Sequence, residues 1–228
     1  MSSHTSDGRL FTIDSRLRPM GRDGELIQTE SRFKKYFLKQ AAPWEAITYM
    51  KARTIAGDLN RGTQFLSELQ NVDWKRYGAS GGLASELVLM RSKIEETHGM
   101  TSPIKAGQGG YYDVDFILMY LRLQDADIFF PSLNTPERIA VLRTSKALNH
   151  EQADTLEMAA EFLSALEHAV RVAVGPSATK IPASPSQRKI IGDLVERWSK
   201  SNTNSSDFEE TFEVVRRKTR ELFIQVFH

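Results

Sequence analysis

The sequence predicts a mainly α protein, a helical bundle preceded by a short β-hairpin, and three observations lead there. Apolar residues alternate with polar ones only in the first thirty positions. After Thr29 they recur at spacings of three and four, the repeat that lines one face of an α-helix. Proline and glycine then punctuate the chain where those runs stop.

Residues 9–17 (RLFTIDSRL) carry Leu10, Ile13 and Leu17 between polar neighbours, and residues 24–28 (GELIQ) make a second short strand. Pro19, Gly21 and the Asp23-Gly24 pair supply turn chemistry between them. These strands are expected to cover their apolar side chains on Phe33, Phe37 and Trp44, or to pair with another copy of the chain. Thr29 can cap a first helix with Phe33, Tyr36 and Phe37 on one face, ending before Pro43. A second starts near Trp44 and buries Ile47 and Met50. Leu83, Leu87, Met90 and Ile94 form the stripe of a third, which Gly99 stops. Residues 113–130 read as a largely buried helix. Residues 151–174 read as a long one, with Leu156, Ala159, Leu163, Leu166, Val170 and Ala173 in one stripe that Phe162 widens. The proline-containing stretch 175–186 is a break, followed by a helix over 187–199 and a polar, mobile segment at 201–206. Asp207, with Glu210 three residues on, opens the last helix, where Phe208, Phe212, Val215, Leu222 and Val226 face one way. No internal repeat is evident.

The 228 residues suffice for one large domain, or one with a helical appendage. Thirty basic residues against 29 acidic ones give no general electrostatic case for nucleic acid or an anionic membrane. No run approaches the length of a membrane span, and the polar start is no signal peptide. The absence of cysteine excludes disulfides and cysteine-held metals, and agrees with a cytoplasmic protein.

The sharpest local feature is the segment Asp14-Ser15-Arg16-Leu17-Arg18-Pro19. On a strand, Asp14, Arg16 and Arg18 share one face. If that face lines a cleft, the carboxylate can hold a divalent metal while the guanidiniums meet phosphate oxygens. If it faces water, Asp14 simply pairs an arginine, as alternating charges on exposed strands do.

This segment, continued by Gly21-Arg22-Asp23-Gly24, resembles the D-L-R-L-R-P-x-G-R-x-G of the glutamine-synthetase adenylyltransferases. Trp44-Glu45, Lys51-Ala52-Arg53 with Ala56-Gly57-Asp58, and Met90-Arg91-Ser92-Lys93 are similar to further segments of that family. So are Lys105-Ala106-Gly107-Gln108-Gly109-Gly110 with Asp113-Val114-Asp115-Phe116, and Leu166-Glu167-His168. The matches run in order from Asp14 to about Val174; the tail beyond Gly175 resembles the family only as a helical ending. Ser15 stands where the family has an apolar residue, and Asp115 where it has Glu.

The resemblance implies a nucleotidyltransferase palm that moves AMP from ATP to a glutamine synthetase tyrosine, or takes part in its removal. A helical domain shared with the uridylyltransferase of nitrogen signalling follows each palm. On that basis residues 1–30 are part of a palm, and the hairpin is a remnant of it. Residues 31–174 are the helical domain, and residues 175–228 a linker and C-terminal helices packing on the bundle. Asp14 matches the palm's third carboxylate, the catalytic and metal-binding position. Arg16, Arg18, Arg53, Lys105, Gly107, Gly109 and Gly110 are the expected nucleotide-phosphate contacts. Mg²⁺ and ATP are the implied cofactors, not tightly bound by this chain. The G-S-D-x-D strand that holds the other two carboxylates is absent from the 228 residues and is expected upstream of Met1. The isolated chain is therefore expected to be inactive, with the missing palm strands supplied by another chain. The expected partner is glutamine synthetase or a nitrogen-signalling protein. A different class of function, a non-catalytic helical module that binds such a partner, fits the same helices.

Five further groups have structural alternatives. Asp113 and Asp115 offer a D-x-D that could chelate on a strand, but on a helix they diverge. Arg53 can pair with Asp58 or Glu45 instead of a phosphate. His168 lies beside an i,i+4 pair of Glu167 and Arg171 and reads as a packed or capping histidine. Trp44 reads as a packing anchor, and Arg216-Arg217-Lys218 as a solvated helix face.

Overall fold

The computed structural model describes residues 17–128, 134–199 and 207–228, and among them the chain is α-helical with no strand. Helix α1 (Glu30–Lys39) begins as predicted at Thr29, whose hydroxyl accepts the Arg32 N–H at 3.3 Å. Helix α2 (Pro43–Tyr49) follows a short turn. Helix α3 (Leu59–Asp73) is capped by Asp58, which accepts the Arg61 N–H at 2.9 Å, and runs on into a π-helical turn at Trp74–Gly78. Then come α4 (Leu83–His98), α5 (Tyr111–Leu123), α6 (Thr135–Thr144), α7 (His150–Val174), α8 (Pro185–Trp198) and α9 (Phe208–Phe227).

Helix α5 is the centre of the bundle, in contact with α2, α4, α6, α7 and α9. Val114, Ile117, Leu118 and Leu123 are wholly buried in it. Helix α7 crosses it and also carries α6, α8 and α9. The stripe predicted for α7 is buried from Leu156 through Val170, with Phe162 inside the core and Ala173 at its margin. Each such leucine contributes about 2 kcal/mol when taken from water. A second, smaller core lies at the other end. Phe37, Ala41 and Leu69 are buried there, with Phe33, Tyr36, Tyr49 and Val72 packed around them. The Phe37 and Tyr49 rings meet edge to face at 4.8 Å.

Several expectations need correction. Residues 24–28 form no strand; Leu26 and Ile27 are 77% and 86% exposed. The Arg18 guanidinium donates to the carbonyls of Gly24 and Arg22, at 2.8 and 2.9 Å, and coils the chain into a 3-10 turn at Gly21–Asp23. No ladder partner lies alongside 24–28 among the described residues. The strand expected at 9–17 lies outside the described residues except for Leu17, as does the polar segment 201–206. Helices α3 and α6 were not expected, and it is α3 that covers Phe33 and Phe37. The helix expected over 113–130 begins at Tyr111 and ends at Leu123. Trp44, expected to be a packing anchor, is 40% exposed. Asp207 stands before α9 without a side-chain capping bond. No described helix is long and apolar enough to cross a membrane.

Candidate functional site

Asp14 and Arg16 lie outside the described residues, but the segment that follows them is anchored. The Tyr49 hydroxyl, at the end of α2, donates to the Leu17 carbonyl at 2.8 Å. Arg18 is turned to backbone carbonyls, as above. Leu17, three residues on from Asp14 in the sequence, therefore lies at the C-terminal end of α2.

From that same end the chain leaves as Lys51-Ala52-Arg53-Thr54-Ile55. Burial alternates along it, with Ala52 and Thr54 partly covered and Arg53 and Ile55 exposed. Lys51 Nζ donates to Asp115 Oδ2 at 2.6 Å, joining the start of the segment to α5. Asp58 at its far end caps α3, and Glu45 accepts the Tyr36 hydroxyl and the Ala42 N–H. Both acids that could have paired Arg53 are thus committed elsewhere, and Arg53 has no ion pair among the described residues.

The glycine-rich turn between α4 and α5 is built differently. Gly107, Gly109 and Gly110 are buried. Gly109 adopts φ +67°, and a Cβ there would fall 1.8 Å from the Arg216 carbonyl oxygen of α9. Only glycine permits both. The Gly109 N–H donates to Asp113 Oδ2 at 2.9 Å and the Gly110 N–H to the Gly107 carbonyl at 3.0 Å. Lys105 pairs with Glu167 of α7 at 2.9 Å, and Glu167 also holds Arg171 at 2.6 Å, the i,i+4 pair expected from the sequence. The turn is closed by its neighbours, with the two glycine N–H groups directed inward.

Asp113 and Asp115 both sit in the helix α5 and reach different cations. Asp113 is fully buried and accepts Arg91 Nε at 2.5 Å, with Arg220 of α9 at 3.3 Å. Arg91, itself 1% exposed, also donates to the Gly107 carbonyl at 2.7 Å. Glu95 stands 3.5 Å from each arginine and completes a network across α4, α5 and α9. Buried carboxylates persist when paired and hydrogen-bonded in this way. Sequence reasoning quoted Arg91 as part of a motif but assigned it no role, because its partner lies 22 positions away.

Two other features were also missed. Asp73, at the start of the π-helical turn, is fully buried, and neither carboxylate oxygen accepts a hydrogen bond among the described residues. Burial pushes its acid up to about 8, against the pull of the Arg76 and Arg122 guanidiniums. A cleft of about 940 Å³ runs beside α6 and α7, lined among others by Tyr111, Glu157, Glu161, His168 and Trp198. None of the expected phosphate contacts lines it. His168 is exposed and lies against the Trp198 ring, centroids 4.9 Å apart.

The described residues contain no group of three or more His, Cys, Asp or Glu placed to hold a metal. Asp58, Asp113 and Asp115 are engaged with N–H groups or cations. A divalent ion therefore has no cage among the described residues.

The model of glutamate-ammonia ligase adenylyltransferase matches residues 1–68, and that of GlnD PII-uridylyltransferase matches residues 86–227. The chain is 29% identical over 196 residues to a bifunctional glutamine synthetase adenylyltransferase/adenylyl-removing enzyme of Hahella chejuensis, covering 84% of this chain and 20% of that one. It is 28% identical to that of Chromobacterium violaceum over 100% of this chain and 25% of the relative. With that of Nitrosomonas eutropha it shares 32% over 82% of this chain and 21% of the relative. The chain thus spans a fifth to a quarter of the length of these relatives. The order of the two matches follows the order of the structure, the segments around α1 and α2 and then the bundle around α5 and α7: the chain belongs to the glutamine-synthetase adenylyltransferase family, with a helical part of the type found in the PII-uridylyltransferases.

Proposed function

We propose that this chain is the portion of an adenylyltransferase that carries the third palm carboxylate and the helical domain, and that it serves AMP transfer to, or removal from, a glutamine synthetase tyrosine. One observation carries the reading. The Tyr49 hydroxyl holds the carbonyl of Leu17, three residues on from Asp14 in the sequence, at the end of α2 from which Lys51 and Arg53 depart. Arg53 is the nucleotide-phosphate contact within the described residues, since it is exposed and no acid among those residues pairs with it. A guanidinium meets phosphate oxygens in a fixed fork, which suits it to such a contact. Mg²⁺ and ATP are held tightly only in the assembled palm, and this chain alone binds ATP weakly through its arginines. Asp14 supplies one carboxylate, and the strands with the others come from outside these 228 residues. Phosphoryl chemistry of this class relies on positioning and charge stabilisation together, and one carboxylate does not fix the ions.

The apolar residues Leu17, Leu26, Ile27, Ile55 and Leu59 are all more than half exposed and lie in the chain before or at the start of α3. Exposed apolar residues in one region favour a covering partner, here the remainder of the palm. The second reading, a non-catalytic module that binds glutamine synthetase or a nitrogen-signalling protein, rests on the same residues. A cytoplasmic location agrees with either.

The experiment is to incubate the 228-residue chain with labelled ATP, Mg²⁺ and glutamine synthetase, alone and with a polypeptide carrying the G-S-D-x-D palm strands of a relative. The expected result is no transfer by the chain alone, transfer in the mixture, and none when the chain carries Asp14→Asn. Transfer by the chain alone overturns the carboxylate assignment. No transfer by any mixture, with tight binding to glutamine synthetase, favours the module.

A further inference from the structure

The structure contains an ion pair whose surroundings give it more to do than hold two elements together. Lys51 Nζ and Asp115 Oδ2 are 2.6 Å apart, the lysine side chain 43% exposed and the aspartate 13%. Asp115 sits in the first turns of α5, the most enclosed helix of the bundle. Lys51 opens the segment that carries Arg53. A pair with a half-exposed lysine adds little to stability. Its geometric effect is larger, because it ties an exposed loop to the rigid centre.

The remainder of the segment is held in the same sense. At its start the Lys51 and Ala52 N–H groups close turns on the carbonyls of Thr48 and Tyr49, at 3.1 and 3.0 Å. Thr54 packs on Gly62 of α3, where a Cβ would fall 2.3 Å from the Thr54 hydroxyl oxygen. That contact exists because α3 has glycine at this point. With Ala52 and Thr54 turned inward, Arg53 is turned outward by the alternation of an extended chain. At the far end Asp58 is fixed in the α3 cap. Lys51 is neutralised by Asp115, so the net positive charge of residues 51–55 belongs to Arg53.

We propose that Lys51 and Asp115 are positioning residues: their ion pair sets the segment 51–55 so that the Arg53 guanidinium is presented to the phosphate chain of a nucleotide. The inference rests on the reading of Arg53 as a phosphate contact. Asp115 does not touch the nucleotide, and Lys51 acts through Arg53. A small displacement of a positioned charge weakens its bidentate contact steeply, since two hydrogen bonds must be met at once.

The test uses the full 228-residue chain and ATP at low salt, with binding followed by calorimetry and folding by the melting temperature. Arg53→Ala is expected to weaken ATP binding about tenfold, the size of a charged hydrogen-bonded contact. Lys51→Met and Asp115→Asn should each weaken it about three- to tenfold with little change in melting temperature. Lys51→Arg keeps the charge pair and should bind within about twofold of the parent. In the Arg53→Ala background Lys51→Met should have no further effect, because nothing remains to position. If Arg53→Ala weakens binding and Lys51→Met does not, the positioning role is overturned while the Arg53 contact stands. An equal loss from Lys51→Met in both backgrounds also overturns it, and makes Lys51 a contact in its own right. If Arg53→Ala changes nothing, or the chain does not bind ATP, both the contact and its positioning fall.

Discussion

Asp73 and Asp113 are two fully buried aspartates that the fold treats in opposite ways. Asp113 has Arg91, Arg220 and the Gly109 N–H around it. Asp73 accepts no hydrogen bond among the described residues, and the guanidiniums of Arg76 and Arg122 act on it only through their charge. Arg122 donates to the Met50 carbonyl, and burial, then the neighbouring Arg138, pushes it down to about 9. Desolvation therefore dominates at Asp73, raising its acid from 3.8 to about 8. The native state keeps a proton that the unfolded chain releases. Its contribution to stability is complete below the unfolded value and is lost as the pH rises toward the folded one. The parent chain should thus lose melting temperature progressively from pH 4 to 8. In Asp73→Asn, which cannot ionise, that slope should flatten, and its advantage over the parent should be larger at pH 8 than at pH 5. Parallel pH profiles for the two proteins would remove the buried acid as the cause.

At the scale of elements, the glycine-rich turn shows how a motif with one chemical reading can have a packing one. Gly109 lets α9 come down onto the α4–α5 turn, and Arg216 donates from α9 to the Gln108 carbonyl at 2.8 Å while Arg220 reaches Asp113. Gly109→Ala should cost about 1–2 kcal/mol for the left-handed backbone alone, and more because its Cβ meets a backbone oxygen. The excess should appear as loosening of α9. Faster proteolysis within residues 208–227 checks it, and intact protection there would show that the turn yields and not the helix. Helices with a continuous apolar stripe, such as α7, were legible in the sequence because burial and period coincide. Helix α6 was not, since Ile139 and Leu142 are the residues it buries. Its start signal was nonetheless present, as Asn134 and Glu137 form a reciprocal capping box with Pro136 between them. Helix α3 was hidden by Gly62, whose absent side chain makes room for Thr54. The same limit applies to the site. Arg53 was legible as a candidate, but Asp115, which ties down its segment, is 64 residues from Lys51, and no local spacing reports such a pair.

At the scale of the whole molecule, the two cores differ in what holds them. The large one joins α2 and α4 through α9, while the small one has Phe37, Ala41 and Leu69 at its centre. Between them run specific hydrogen bonds: Arg76 to the Phe37 carbonyl, Tyr77 to the Ala41 carbonyl, and Gln70 to the Ile128 carbonyl. Hydrogen bonds exchanged for water contribute about 1 kcal/mol each, whereas each fully buried large side chain contributes about 2 kcal/mol. Opening α1 away from α3 therefore exposes few apolar groups, and opening α5 or α7 exposes the main core. Native-state hydrogen exchange should find α1 in a unit that opens at lower free energy than α5 and α7, with α3 intermediate because Leu69 and Gln70 bridge to both sides. Phe37→Ala should lower protection in α1 and α3 while leaving that of α7 close to the parent. If α1 instead exchanges with the same free energy as α7, and Phe37→Ala lowers both together, the two cores form one cooperative unit. The first outcome would leave the segment that carries Arg53, which lies between α2 and α3, at the border of the less stable unit. It would then depend on the Lys51–Asp115 pair, fastened to the more stable one, for its position.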